Sequence, residues 1–125
     1  MTPYERLTAW KLAHKLALET YRITTGFPPS ERFGLTNQLR RAAFSVAANI
    51  AEGSAKRGKA EFRRYLDISL GSLAELQYTL LLCKDLELLA IDDWQKIETI
   101  RDEAGKLIWG LYRAMQRPAG ESRAP

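Results

Sequence analysis

Cysteine and histidine are nearly absent from this chain: 125 residues hold one of each, Cys83 and His14. A single cysteine makes no intrachain disulfide and supplies no multi-cysteine metal site. Its scarcity accords with a reducing compartment. A carboxylate-bridged metal pair in a helical bundle needs two Glu-x-x-His motifs. The position three before His14 is Lys11, so that chemistry is excluded. No apolar run approaches the length of a membrane span. The N-terminal Met-Thr-Pro-Tyr-Glu-Arg lacks a basic region followed by an apolar block, so no signal peptide is expected, and a cytoplasmic setting is. Strand-like alternation is missing throughout.

Helical periodicity is present instead. At 125 residues, 46% apolar and 27% charged, the chain is one ordinary domain with a conventional core. A first helix is expected over about 4–25, with Ala9, Leu12, Ala13, Leu16 and Ile23 on one face and Gly26 and Pro28-Pro29 ending it. A second spans 36–53, with Thr36 as N-cap and Leu39, Ala43, Val46 and Ile50 in the 4-3-4 spacing of a bundle seam. Alanines flank that seam and permit close helix approach. The third, 59–88, keeps 4-3 spacing from Phe62 to Cys83, where a buried inert thiol is expected. The fourth, 92–116, opens with Asp92 and Gln95 in capping-box spacing and turns Ile97, Ile100, Ala104, Leu107, Leu111 and Ala114 inward. The prediction is an all-α, antiparallel up-down-up-down four-helix bundle over 1–117, with 118–125 a disordered tail. Extra apolar residues on the third and fourth helices, among them Leu70, Tyr78, Trp109 and Tyr112, predict a subunit interface.

Net charge is only +4, but it is unevenly spread. Residues 36–66 hold seven basic side chains against two acidic; residues 85–105 hold seven acidic against two basic. Lys56, Arg57, Lys59, Arg63 and Arg64 gather on one turn and the helix after it, with Arg40 and Arg41 some turns back. Such a cluster binds a phosphate backbone by releasing counterions. For a single subunit it also reads as a solvated polar face. Gly53 to Lys59 matches the start of a phosphate-binding loop, but a helix precedes it where a strand is needed, and Ala60 stands where a hydroxyl is required. Ser45, Asn49 and Glu52 share a face of the second helix, and Ser72, Glu75 and Thr79 share one of the third. These stripes read first as register-fixing hydrogen-bond partners. A second reading pairs Glu52 and Glu75 as catalytic carboxylates.

Three motifs carry a family resemblance. Trp10-x-x-Ala13 is followed by Phe27-Pro28-x-x-Glu31-Arg32-Phe33-Gly34-Leu35 and Gln38-Leu-Arg-Arg-Ala-Ala. Ser45-Val-x-x-Asn-Ile-Ala-Glu-Gly53 comes next, then Glu61-Phe62 and Gly71-Ser-Leu-x-Glu-Leu76. Over roughly residues 7–115 the chain resembles the bacterial four-helix-bundle family first noted in intervening sequences of the large-subunit ribosomal RNA gene. The accessory variability proteins of diversity-generating retroelements look like relatives. The resemblance implies a homopentamer with a central opening and no catalytic activity or cofactor. Retroelement relatives bind nucleic acid and a reverse transcriptase. Gly58 departs from the serine that often caps the third helix in the family, and the acidic fourth helix departs from the basic character of those relatives. The expectation is a non-catalytic homo-oligomer binding RNA or DNA through its basic end. The alternative is a scaffold or adaptor that engages another protein.

Overall fold

The computed structural model describes residues 2–116, so the tail expected over 118–125 lies outside the described residues. Four helices carry the fold: α1 (Thr8–Thr24), α2 (Leu35–Ser54), α3 (Lys59–Asp85) and α4 (Ile91–Gln116). Among the described residues there is no strand. Each helix packs on its neighbours in the chain, and α4 closes back on α1. The backbones of the diagonal pairs, α1 with α3 and α2 with α4, do not approach closely, so the helices stand at the corners of a square in chain order. This is the four-helix bundle that the periodicity predicts.

The core is the seam read from the spacing. Leu39, Ala43, Val46 and Ile50 of α2 are fully buried, as are Leu66, Leu76, Leu80 and Cys83 of α3. Burial pushes the Cys83 thiol up to about 11, so it stays protonated and inert. Small side chains on α2 bring α3 close enough for direct polar contact. Buried Ser69 donates to the carbonyl of Val46 at 2.7 Å, and Ser45 and Ser72 share a hydrogen bond of 2.7 Å.

Several boundaries differ from expectation. The first helix does not start at Tyr4. Pro3–Arg6 form a 3-10 turn, and extended Leu7 (φ −84°, ψ 123°) separates it from α1. Thr36 does not cap α2; it lies inside the helix and is buried. Gly34 precedes the helix, and the Glu31 carboxylate accepts the Leu35 N–H at 3.3 Å. Helix α3 ends at Asp85, three residues early. Glu87 takes a left-handed conformation (φ 62°). Its N–H bonds the Lys84 carbonyl at 3.0 Å, while the Leu88 N–H bonds that of Cys83 at 2.9 Å. That pair of bonds is a Schellman stop built without glycine. Helix α4 begins at Ile91, so Asp92 sits within the first turn, where it complements the helix dipole. Further along, Ile108 is buried in place of Leu107, which is 38% exposed.

Candidate nucleic-acid interface

The turn between α2 and α3 carries the basic cluster. It is a tight helix-to-helix reversal, and its geometry has two causes. Gly58 adopts φ 82°, a conformation in which a side chain is strained. Gly53 is buried where α2 meets α3: a Cβ there would lie 2.7 Å from Tyr65 Cβ and 2.9 Å from the Phe62 ring. The glycines of the Gly-x-x-x-x-Gly-Lys match thus serve a helical reversal and a helix contact.

Around this reversal Lys56, Arg57, Lys59 and Arg64 are exposed and Arg63 is half-buried. Arg64 pairs with Glu61 at 3.2 Å. That contact holds the Glu61 carboxyl below its ordinary range, and the Lys56 charge adds to it. The half-buried Tyr65 ring lies beneath two cations, Arg64 at 4.6 Å and Lys56 at 5.5 Å. Its face therefore steadies positive charge rather than standing open to a base. The first turn of α3 directs its N–H groups into the same region.

Arg40 and Arg41 do not join this cluster. Fourteen residues separate Arg40 from Ser54 at the end of α2, about 21 Å along the helix axis, and Lys56 lies beyond it. Arg40 instead donates to Thr24 Oγ1 at 2.9 Å and lies 4.5 Å over the Tyr21 ring, tying α2 to α1. Arg41 is exposed.

The polar stripe divides as well. Asn49 donates to the Ser45 carbonyl at 2.8 Å and to Ser45 Oγ at 3.0 Å, and Ser45 reaches Ser72. Glu52 and Glu75 are exposed and stand apart. The Ser45–Ser72 and Val46–Ser69 contacts set the antiparallel register and bring Glu52 level with the start of α3 near Tyr65. Glu75 lies about ten residues beyond, or 15 Å. The paired-carboxylate geometry is not formed. His14 is exposed and stacks on Trp10 at 5.0 Å with planes 5° apart. Among the described residues, no group of three or more His, Cys, Asp or Glu side chains is placed to hold a metal ion.

Two features escaped sequence reasoning. A groove of about 560 Å³ between α3 and α4 is lined by Leu70, Ala74, Gln77, Arg101, Trp109 and Arg113. Another of about 340 Å³ between α1 and α2 is lined by Trp10, His14, Leu18, Tyr21 and Phe44. Phe44 is 65% exposed, although its neighbours in sequence are core. Its departure from the 4-3-4 line was the available signal.

Against known proteins, a family model described as 23S rRNA-intervening sequence protein matches residues 5–110. The chain belongs to the 23S rRNA-intervening sequence protein family. A crystal structure from Bacteroides thetaiotaomicron, of a protein with unknown function from the S23 ribosomal protein family, has the same fold. Its TM-score is 0.76 at 22% identity, over 85% of this chain and 99% of that one. Among curated proteins none matches. The expected likeness to accessory variability proteins is one of sequence motifs and is not shown by these matches.

Family membership gives the motifs a physical reading. In Ser45-Val-x-x-Asn-Ile-Ala-Glu-Gly53, Val46, Ile50 and Gly53 face the core, while Ser45 bridges to α3 and Asn49 bonds back to Ser45. In Gly71-Ser-Leu-x-Glu-Leu76, Leu73 and Leu76 are core and Ser72 completes the bridge. The motifs on α2 and α3 therefore build much of the contact between these two helices. No helix among the described residues is long and apolar enough to cross a membrane.

Proposed function

We propose that the protein is a non-catalytic, self-assembling bundle, a homopentamer in the cytoplasm, that binds RNA or DNA through its basic end. The observation that carries this reading is the convergence of Lys56, Arg57, Lys59, Arg63 and Arg64 on one helical reversal. Acidic side chains there are few, and the one in the first turn of α3, Glu61, is paired with Arg64. The dipole of the 27-residue α3 adds to the positive potential at the same point. Tyr65 lies under cations, which favours phosphate contacts over base stacking. The name of the family, with its 23S rRNA-intervening sequence, supports a nucleic-acid setting.

The test is fluorescence anisotropy with labelled RNA and DNA at low salt. Binding is expected to weaken steeply with salt, by about 0.9 log unit per log unit of salt for each phosphate contacted on duplex DNA. Alanine at the five cations is expected to abolish it. No anisotropy change with any nucleic acid at low salt would overturn this reading.

A second reading, a scaffold for a protein partner, is favoured by the exposed apolar groove between α1 and α2. Pull-downs that return only the protein itself would count against it.

A further inference from the structure

The groove between α1 and α2 leaves large apolar side chains uncovered. Ala17 and Ala47, small and packed on the core, form its floor. Leu18 and Phe44, 59% and 65% exposed, line it from the two helices. We infer that this groove seats the apolar face of an acidic amphipathic helix from another protein. The inference rests on the scaffold reading above and supplies the chemistry of the partner.

Charge complementarity carries the sign. From Arg6 to Leu18 and from Arg32 to Ala51 the chain has no acidic residue. Those two spans supply every wall of the groove except Tyr21. Lys11 stands three residues before His14 and seven before Leu18, on the same side of α1, and Arg41 stands three before Phe44 on α2. Both cations are exposed, and among the described residues neither has an ion-pair partner. Of the neighbouring acids, Glu19 is held by Arg22 and Lys96, Glu31 accepts the Leu35 N–H, and Glu52 lies about two turns past Phe44. The rim beside Leu18 and Phe44 therefore carries positive charge alone.

Backbone chemistry fixes the conformation of the occupant. Both walls are helices, whose N–H and C=O groups bond along their own axes, and the described residues hold no strand to extend. An extended peptide would lay unpaired backbone groups against Leu18 and Phe44, whereas a helix satisfies its own. From Trp10 to Tyr21 the groove follows α1 for about 16 Å, enough for anchors at i, i+4 and i+7 of a docked helix. Nucleic acid fits less well, because the aromatic rings are engaged. Trp10 stacks on His14 at 5.0 Å and meets Tyr4 at 4.8 Å, and Arg40 lies 4.5 Å over Tyr21. A bilayer takes a protruding apolar face, and this one is concave.

Three fluorescein-labelled peptides of about 18 residues, long enough to form a helix, test this by anisotropy. The first has leucine at i, i+3, i+4 and i+7 with glutamate elsewhere. The second carries lysine in place of glutamate, and the third has the first one's composition with its leucines dispersed around the helix. The first is expected to bind at least tenfold tighter than either of the others. Phe44→Ser and Leu18→Ser, both at exposed positions, are expected to abolish binding with helical circular dichroism unchanged. Lys11→Glu with Arg41→Glu is expected to turn the preference toward the lysine peptide, and alanine at the five cations of the α2–α3 reversal to leave it unchanged. No binding, equal affinity for all three peptides, or a preference that survives Lys11→Glu with Arg41→Glu overturns the acidic-helix assignment. So does Phe44-dependent binding of phosphatidylserine vesicles or single-stranded RNA in place of the peptide, or an oligomer that Phe44→Ser dissociates, since a second copy then covers the groove. A pulled-down protein partner that is lost in Phe44→Ser, when the first peptide does not bind, overturns the acidic helix and keeps the scaffold reading.

Discussion

Single residues decide how the α2–α3 reversal and the α3 stop are built. Replacing glycine by alanine inside a helix ordinarily gains about 1 kcal/mol. At Gly53 the sign should invert, because the new methyl would meet the Cβ of Tyr65 at 2.7 Å. The obstacle is rooted in the α3 backbone and cannot swing away. Gly53→Ala is expected to lose about 1–3 kcal/mol, the range of core overpacking. Thermal melting checks it, at roughly 4–8 °C per kcal/mol for a chain somewhat smaller than this one; a higher melting temperature would contradict the packing role. Glu87 argues the opposite way. It holds φ 62° with a side chain that disfavours it. Glu87→Gly keeps both Schellman bonds and removes the penalty, so a gain of about 1 kcal/mol is expected. The urea midpoint should rise with an unchanged slope.

Between elements, the contact of α1 with α4 depends on charge. Glu19, nearly buried, lies 2.5 Å from Arg22 and 3.7 Å from Lys96, and Arg22 reaches Asp93 at 2.7 Å. The Arg22 hydrogen bond holds the Glu19 carboxyl below its ordinary value of 4.5, and burial works against it. Because the folded value is the lower one, the stabilisation is complete above the unfolded value. It is lost as pH falls through the folded value. Glu19→Gln is expected to cost about 1 kcal/mol at neutral pH and progressively less below about pH 4. Urea unfolding of both proteins at the two pH values reads the difference; a gap that persists in acid would show that packing, not charge, is responsible. Such cross-helix arrangements mark the limit of what was legible in the sequence. Periodicity located four helices and most of the seam, because burial repeats with the helical turn. It drifted on α4, where Ile108 replaces Leu107, since a strict seven-residue line slips about 20° per heptad on a straight helix. It missed the end of α3, which has no glycine to announce it. The basic cluster was legible because its members are neighbours in the chain. The separate fate of Arg40, and the distance between Glu52 and Glu75, required the register between helices, which no local pattern contains.

At the scale of the whole molecule, the charge asymmetry of the sequence becomes an axis. The α2–α3 reversal, with the basic cluster, stands at one end of the bundle. The α3–α4 connection, flanked by Asp85, Glu87, Asp92 and Asp93, stands at the other. A ring whose axis runs parallel to the bundle would keep every copy pointing the same way, with all basic reversals on one face. A single copy offers five cations and a modest net charge of +4. That is weak attraction for a polyanion at physiological salt, where the screening length is about 8 Å. Several copies on one rigid face would bind one strand with the avidity of linked sites, which commonly exceeds single-site affinity by about 10²–10⁴. Nucleic-acid affinity should therefore follow assembly. In protein diluted until sedimentation shows only monomer the basic end is untouched, yet affinity at about 0.1 M salt is expected to fall at least tenfold. The slope of log K against log salt should become shallower too, because fewer phosphates are neutralised per complex. Anisotropy titrations of both states over a salt series, with sedimentation run at the same concentrations, make the comparison. Equal affinity and equal slope in ring and monomer would mean that one bundle is the complete binding unit, and that the shared face contributes nothing.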